Sequence, residues 1–400
     1  MCQPNSAFPR RVGCGASVRN AASVTKVTRS LDPAGRVRKA RLVAWRLLIE
    51  VAVVSPPPPN AGANAGAASQ ADRSGHADAH AHAHGERTHV ERTGYLSAAY
   101  ARSLGEFGTP MALPRSESWI LQRQVAPGIA DAMGPYPLFC CRDWQALAGD
   151  LEDVGRASAG GAPLTSLVVV TDPFGPASPD LLAASFPDRV APFKEHYVAD
   201  LSRPLASFVS AHHRRYASRR VVEVAVCSQP LDWLDDWCAL YANLCARHQI
   251  RGIPALSRAA FTHQLNVPGL TAFRASAGGA TLGMVLWYRH DDVAYYHLAA
   301  YSDQGYQRRA SFPLFWASFE HLATAGVRWA SLGAGPSAGG TAPSQGTDGL
   351  IRFKKGWSTE TRLTYLCGRI FRPEVYGALS HERGFADSRY FPAYRQGELA

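Results

Sequence analysis

One stretch decides the fold, residues 295–335, which read YYHLAAYSDQGYQRRASFPLFWASFEHLATAGVRWASLGAG. Aromatic and apolar residues at its start predict the end of a strand over 293–301, and residues 309–325 carry an apolar helical pattern. A strand over 327–332 follows, and Gly333 and Gly335 end it. This order of strand, turn, helix and strand predicts an α/β unit.

The pattern on both sides of this stretch predicts two α/β lobes with mixed sheets, residues 111–219 and residues 220–400. The predicted elements of the first lobe are strands over 137–142, 164–171 and 193–201 and helices over 143–155 and 202–219. Those that complete the second lobe are a strand over 221–227, helices over 231–248 and 257–265, strands over 270–277 and 280–289, and a last strand over 362–371. Gly278 and Gly279 form one predicted turn and residues 290–292 another, so 270–301 should be an antiparallel meander.

Residues 1–110 predict a disordered, basic tail. They hold 14 Lys and Arg against 7 Asp and Glu, and thus most of the net charge of +10. Residues 55–90 are of low complexity and cannot bury enough apolar surface to fold. The five histidines between His76 and His89 could take up a transition metal, but their spacing is not that of a closed site, and we expect no metal in the function. The first 50 residues resemble a transit peptide; alternatively, the protein product begins near Met111.

The cysteines and the hydropathy indicate a cytoplasmic protein. The eight cysteines form neither a CxxC pair nor the dense spacing of a disulfide-rich secreted domain. The longest apolar run, residues 42–54, is too short for a membrane span and contains Arg46 and Glu50. Because residues 111–400 carry only a small positive charge, we expect no broad nucleic-acid surface.

The segment after the Gly-rich residues 334–348 reads GLIRFKKGW, residues 349–357. Together with residues 295–335 it resembles the GNAT (Gcn5-related N-acyltransferase) fold, in the branch of the FemAB-like and CelD-type acyltransferases. The resemblance covers residues 220–372 and is weaker over 115–219. It implies tandem GNAT-like lobes, of which the first is degenerate.

The turn after strand 293–301 is the candidate donor site. Backbone N–H groups and the positive end of a helix dipole favour an anion there. The resemblance implies that this turn holds the pyrophosphate of acyl-CoA. The residues concerned are Gly305, Tyr306, Gln307, Arg308, Arg309, Ala310 and Ser311. Gln307 stands where the family has a second small residue, and Fem relatives use aminoacyl-tRNA on the same scaffold, so both donors stay open.

The segment 349–357 is interpreted as a loop that delivers a cation and an aromatic ring to the site. A fixed cation stabilises the oxyanion of acyl transfer as its charge develops. The resemblance assigns this place to Lys354, with Phe353 beside it, and implies that Arg352 and Trp357 bind the acceptor or anchor the loop. The alternative is a solvated basic turn in which Phe353 and Trp357 are only hydrophobic anchors. Both interpretations predict that these two aromatic side chains are buried.

Two further groups of residues are candidates for the acceptor side. His297 and Tyr301 should share a face of their strand, because alternate residues point the same way, and they are the candidates for amine deprotonation. Arg214 and Arg215 end a predicted helix and could bind phosphate on a substrate. Cations are favoured at helix C-termini regardless of function, which is the simpler interpretation.

The leading hypothesis is an N-acyltransferase that moves an acyl group from acyl-CoA to an amine of a sugar or peptide in the cell envelope or an exopolysaccharide. A Fem-type transferase that uses aminoacyl-tRNA is one alternative. A GNAT-fold scaffold that binds a partner without turnover is another.

Overall fold

An eleven-stranded mixed sheet runs through the part of the chain that the computed structural model describes, residues 92–156, 163–175, 178–335 and 345–397. The strands are β1 (Thr109–Leu113), β2 (Ser118–Ala126), β3 (Ile129–Met133), β4 (Leu164–Val170), β5 (Arg189–Asp200), β6 (Glu223–Val226), β7 (Leu270–Ala277), β8 (Ala280–His290), β9 (Val293–Tyr301), β10 (Trp329–Ala334) and β11 (Glu360–Ile370). The helices are α1 (Ala98–Ser103), α2 (Leu147–Arg156), α3 (Pro179–Ser185), α4 (Leu205–Phe208), α5 (Ala211–Ala217), α6 (Leu234–His248), α7 (Arg258–Gln264), α8 (Asp303–Arg308), α9 (Ser311–Thr324), α10 (Gln345–Lys355) and α11 (Pro373–Glu382).

The two predicted lobes form one sheet by exchanging a strand. The order is β1-β2-β3-β4-β11-β5-β10-β9-β8-β7-β6. Only β3 with β4 and β9 with β10 are parallel among these neighbours; all the other pairs are antiparallel. The next strand along the chain after each parallel pair joins the other lobe: β5 lies beside β10, and β11 lies beside β4. Since β5 and β11 also pair with each other, the lobes share their hydrogen bonds at the centre of the sheet.

Helices cover both faces of the second lobe. Helix α6 was predicted from an apolar stripe, and its Trp237, Tyr241 and Leu244 are indeed buried against one face. On the other face, α9 packs Phe315 and Phe319 against Trp287 of β8. A third cluster fills the first lobe between its strands and α2 and α3. The sheet is thus held rigid on both sides at β9 and β10.

The first lobe differs from the prediction in its strands. Strands β1, β2 and β3 were not predicted, since segments such as SWILQRQVA mix polar and apolar residues without a clear period. The strand predicted over 137–142 is wrong: only Phe139 pairs, in a single bridge to Thr171. Pro135 and Pro137 explain this, because proline offers no N–H group to a ladder.

Helical structure is already present before residue 110, the predicted boundary of the tail. Residues 94–104 form a 3-10 turn and α1, and Tyr95, Tyr100 and Leu104 are buried in the core of the second lobe. Tyr95 and Tyr100 both pack against Tyr288, which gives this segment enough buried apolar surface to be ordered. Residues 1–91, with the predicted histidine cluster, lie outside the described residues.

Three predicted segments near the site have a different local structure. The helix over 202–219 is divided into α4, which begins after Pro204, and α5, which begins where the side chain of Ser210 accepts a hydrogen bond from the N–H group of His213. The helix over 309–325 is preceded by the separate short helix α8, with Arg309 in the left-handed region between them at φ 57°. Residues 349–355, predicted as a loop, are the end of α10; the spacing of Leu350, Phe353 and Trp357 places all three in the core.

No helix among the described residues is long and apolar enough to cross a membrane. The six cysteines in this part of the chain, Cys140, Cys141, Cys227, Cys238, Cys245 and Cys367, are free thiols. This agrees with the absence of a disulfide pattern in their spacing.

Candidate active site

Strands β9 and β10 separate in the middle of the sheet. They pair from Trp329 with Val293 to Ser331 with Tyr295, and their pairing ends there although β9 continues to Tyr301. Gly333, at φ 77°, lies where the register of β10 on β5 also shifts. A left-handed glycine bends the strand at little cost, so the gap between the two strands is built into the backbone.

A cavity of about 230 Å³ lies at this gap. Both lobes line it: β3, β4 and the residues between them, the exchanged strand β5, and the second lobe's β9, β10 and α10. Its polar side chains on the second-lobe side include Lys194, His196, Tyr296, His297, Ser331 and Lys354. The remaining lining is largely apolar, which suits a reaction that must exclude water.

Lys354, the predicted oxyanion-stabilising cation, is among the residues that line this cavity. Its side chain is only 3% exposed, and Nζ donates a hydrogen bond to the carbonyl oxygen of Ala334 at 2.7 Å. Nζ also lies 6.0 Å from the centre of the Tyr296 ring. Burial, and to a lesser degree the charge of Lys194, lowers the pKa of Lys354 to about 7. The amine therefore exists in both charge states near neutral pH.

Aromatic residues behind α10 hold Lys354 in place. Phe353 packs on Phe315 with ring centres 5.1 Å apart, and Trp357 is fully buried against Phe319. Neither side chain is among those that line the cavity. In this arrangement Phe353 and Trp357 are hydrophobic anchors. The catalytic role of Phe353 and the substrate-binding role of Trp357 stay predictions, since neither side chain lines the cavity.

His213 fixes the end of the same helix. Its Nε2–H donates to the carbonyl oxygen of Phe353 at 3.0 Å, and the hydroxyl of Ser210 donates to Nδ1 at 2.6 Å. Burial lowers the pKa of His213 to about 4, so the ring is neutral and both bonds persist at neutral pH. A Cβ at Gly356 would collide with this ring, which explains the glycine after the two lysines.

Lys194 and His196 were missed by sequence analysis, although their strand was predicted. They alternate on β5 and both line the cavity. His196 pairs in register with Ala334, the residue whose carbonyl accepts the bond from Lys354. Burial first, and then the charges of Lys354 and Lys194, lower the pKa of His196 to about 3. Nδ1 of this neutral ring is buried and has no hydrogen-bond partner among the described residues.

His297 also lines the cavity, but both of its ring nitrogens have partners. The hydroxyl of Tyr95 donates to Nδ1, and Nε2–H donates to Oε1 of Gln264, each at 3.1 Å. Burial lowers the pKa of His297 to about 3. The ring is thus a satisfied core histidine, which makes it a poor base.

The expectation that His297 and Tyr301 share a face is wrong. The register of β9 on β8 shifts at His297, so that His297 and Leu298 both lie on the face of the sheet covered by α6. Tyr301 lies on the opposite face, in the core beside Tyr306. One extra residue in a strand reverses the side on which later residues point, and sequence alternation does not reveal it.

The predicted pyrophosphate turn is occupied by helix α8. The backbone N–H groups of Gly305 and Tyr306 bond to Ser302, and those of Arg309 and Ala310 bond to the carbonyls of Tyr306 and Gly305. Pro313, in the first turn of α9, has no N–H group to offer. A Cβ at Gly305 would collide with the carbonyl oxygen of Leu282, so packing alone accounts for this glycine. The expectation of a direct turn from strand to helix is therefore wrong.

Arginines around this turn make structural contacts as well. Arg309 stacks on the Tyr216 ring at 4.0 Å, and Arg308 donates to the carbonyl of Val221 at 3.3 Å. Arg214 donates to the carbonyls of Ala206 and Val209, which caps α4. The residues that line the cavity include none of those predicted to bind the donor. They also do not include Arg214, Arg215 or Arg352. Their binding roles stay predictions.

Comparison with known proteins finds one family model that matches part of the chain. Residues 207–342 match the sequence profile described as "Acetyltransferase (GNAT) domain". No curated protein sequence matches the chain. Among solved structures, FemX aligns with a TM-score of 0.53 at 11% identity over 70% of this chain and 93% of its own. The C-terminal domain of a putative lysylphosphatidylglycerol synthetase from Agrobacterium fabrum aligns with a TM-score of 0.49 at 18% identity, over 68% of this chain and 89% of its own.

The profile match and the strand order agree with each other. The profile spans the parallel pair β9 and β10 with α9 between them, and the alignment with FemX covers 70% of this chain, more than either lobe alone. Residues 207–342 are therefore similar to a GNAT acetyltransferase domain, and the fold of the chain is similar to that of FemX.

Proposed function

We propose that this protein is an N-acyltransferase that moves an acyl group from acyl-CoA to an amine of a sugar or peptide acceptor of the cell envelope or an exopolysaccharide. One observation carries the proposal: the amino group of Lys354 is buried at the opening between β9 and β10. A buried amine without a structural counter-charge costs stability, and such sites are typical of catalysis. The acceptor class rests on the family resemblance.

In the proposed reaction the acceptor nitrogen attacks the thioester carbonyl, forming a C–N bond and an oxyanion. The protonated Lys354 donates a hydrogen bond to that oxygen, and this interaction strengthens as the negative charge develops. Collapse of the intermediate breaks the C–S bond, and the thiolate of coenzyme A takes up the proton lost by the amine. The lysine is a donor throughout and forms no bond to carbon.

His196 replaces His297 as the histidine of this mechanism. Its buried Nδ1 is without a partner among the described residues, whereas both nitrogens of His297 are engaged. A pKa of about 3 makes His196 a weak base, so its role is to accept a hydrogen bond from the attacking amine and align it. The amine must therefore arrive in its neutral form.

The cavity volume of about 230 Å³ holds the reacting ends of the two substrates and not a complete nucleotide. The bulk of the donor would lie outside the cavity, and the exposed cations proposed to contact its phosphates are Arg308 and Arg309, at the end of α8. The six free thiols fit a reducing compartment, and we place the protein in the cytoplasm.

An aminoacyl-tRNA donor is the second candidate, and helix α8 favours it. Because α8 engages four of the predicted phosphate-binding amides, the turn lacks the free donors that pyrophosphate would need. The same scaffold would then bind the donor through its acyl end alone.

One pair of measurements distinguishes the donors. Coenzyme A should raise the melting temperature of the full chain, and the rise should be smaller in Arg308→Gln. Binding of tRNA, measured at two salt concentrations, should be weak and should not exceed that of a DNA duplex of equal length. Tight tRNA binding without a response to coenzyme A would replace acyl-CoA by aminoacyl-tRNA, and no response to either would favour the non-catalytic scaffold.

A further inference from the structure

Three side chains of metal-ligating types meet at the boundary between the lobes, beside Tyr295. Cys140 follows the prolines after β3, Asp172 follows β4, and His290 ends β8. The ligating atoms of Cys140, Asp172 and His290 all lie within 4.8 Å of one another, and all three residues are buried. None of them lines the cavity at Lys354.

His290 is the second and independent observation. His290 is 9% exposed, and neither Nδ1 nor Nε2 of its ring has a hydrogen-bond partner among the described residues. A buried imidazole without any partner is costly, since each unpaired polar atom loses its bonds to water. The ring is stacked on Tyr295 with centres 4.8 Å apart, which fixes its orientation towards the cluster. A ligand that accepts an imidazole lone pair would remove the cost.

The surroundings of Asp172 resemble those of a metal-binding carboxylate. The hydroxyl of Tyr295 lies 3.0 Å from both carboxylate oxygens, and the N–H group of Phe174 donates to Oδ1 at 3.0 Å. Hydrogen bonds of this kind orient metal ligands and are common around metal sites. Tyr295 therefore supports two of the three ligands, one by a bond and the other by stacking.

We propose that Cys140, Asp172 and His290 bind one divalent cation of the zinc class, which ties the first lobe to the β8–β9 hairpin of the second. Thiolate, imidazole and carboxylate are the ligands that Zn²⁺ and Co²⁺ prefer over Mg²⁺ or Ca²⁺. The cation displaces the thiol proton of Cys140, which is released to solvent, and forms bonds to sulfur, nitrogen and oxygen. Three protein ligands leave a fourth position for water.

The cluster has to contract slightly on binding. Bond lengths of about 2.0–2.3 Å to a tetrahedral ion place ligand atoms roughly 3.3–3.8 Å apart. The widest separation of 4.8 Å thus closes by about 1 Å. Because the three ligands come from separate segments, this closure is expected to stabilise the folded chain relative to the unfolded one.

The test uses the metal-free full-length protein and Co²⁺, whose bond to a thiolate gives a charge-transfer absorption band. The five histidines between His76 and His89 can also bind cobalt, but no cysteine lies near them in sequence, so the band separates the two kinds of site. The variants are Cys140→Ser and His290→Asn. The matched control is Cys141→Ser, which removes the adjacent, half-buried thiol.

The expected result is a thiolate band that saturates at one equivalent of Co²⁺ in the unaltered protein and in Cys141→Ser. The band should be absent in Cys140→Ser. In His290→Asn, the affinity for Co²⁺ should be at least tenfold lower than in the unaltered protein. Zinc should raise the melting temperature in the same two proteins that show the band. The proposal is overturned if the band fails to form, or if it persists in Cys140→Ser. Should Cys140→Ser not fold, an unchanged affinity in His290→Asn overturns it equally.

Discussion

The two parallel strand pairs occupy equivalent places in the two lobes and differ in how the chain continues beyond the pairing. In the first lobe, β3 and β4 pair up to Met133 and Val168, separate over the proline-containing residues 134–138, and meet again where Phe139 pairs with Thr171. In the second lobe, β9 and β10 pair up to Tyr295 and Ser331 and do not meet again within the described residues. The first gap is bridged by its own chain, residues 134–138, which line one side of the cavity, and the second is left open.

The open gap is where the buried amine lies. Lys354 reaches the carbonyl of Ala334 beside the open strands, whereas the closed gap of the first lobe is packed by Phe139 and Val169 around Gly134. The two gaps therefore differ in their side chains: a buried amine lies beside one, and apolar side chains pack around the other. The degeneracy of the first lobe stays a prediction, and four experiments can break or sharpen the comparison of the two gaps.

The largest effect is expected from opening the closed gap. Phe139→Ala removes a fully buried ring that packs on Trp144 and should lower the free energy of unfolding by about 3–5 kcal/mol. Urea denaturation measures this change. The turnover of the molecules that remain folded should change little, and a large loss of turnover at full folding would contradict the division of labour between the lobes.

Removing the amine from the open gap should reduce turnover. Lys354→Met keeps the length of the side chain but removes the donor, and should reduce kcat by about 100- to 1000-fold, or about 2.7–4 kcal/mol of activation free energy. The matched control is Lys355→Met, because Lys355 is exposed one position further along α10. Equal rates in the two variants would remove Lys354 from the mechanism.

The stability of the Lys354→Met variant should depend on pH. The pKa of Lys354 is about 7 in the folded chain against an ordinary 10.5, so the folded state holds this proton more weakly than the unfolded state. Folding thus carries a penalty that is complete below pH 7 and disappears as the pH rises to 10.5. Lys354→Met should be more stable than the unaltered protein at pH 6, and this advantage should shrink by pH 9. A constant difference across this range would show that the amine is not buried as a cation.

The smallest effect is expected outside the gap. Arg352 is exposed on α10 and lines no part of the cavity, so Arg352→Gln should change kcat/KM by less than about twofold, as surface substitutions usually do. The same assay with Lys355→Gln provides the baseline for losing one surface charge. A tenfold loss specific to Arg352 would restore its predicted role in acceptor binding.

Local patterns were read correctly where the sequence itself carries the signal. The meander β7, β8 and β9 was predicted from two turns, and both turns contain residues with positive φ, at Gly278, Gly279 and Asp291. The stripe on α6 was predicted from its spacing. Helix α10 was not predicted because the Gly-rich residues before it indicate a loop. The spacing of Leu350, Phe353 and Trp357 is nevertheless that of a helix.

Only some of the residues that line the site could be predicted from the sequence. Lys354 was identified through its resemblance to a family motif, and its burial agrees with that choice. His196 and Lys194 were not, since a histidine and a lysine on a predicted strand carry no sign of the cavity that they line. His297 looked equivalent until its contacts with Tyr95 and Gln264 showed that its nitrogens are engaged.

By itself, the sequence determined the class of fold and most helices and strands of the second lobe, because hydrophobic period and turn chemistry act over a few residues. Tertiary structure alone decided the exchange of β5 and β11, the side to which His297 points, and which of the two gaps stays open. These depend on pairing between residues more than one hundred positions apart, such as Phe353 with His213, and on a single shift of register. No local pattern encodes such contacts, since they exist only once the two lobes have joined into one sheet.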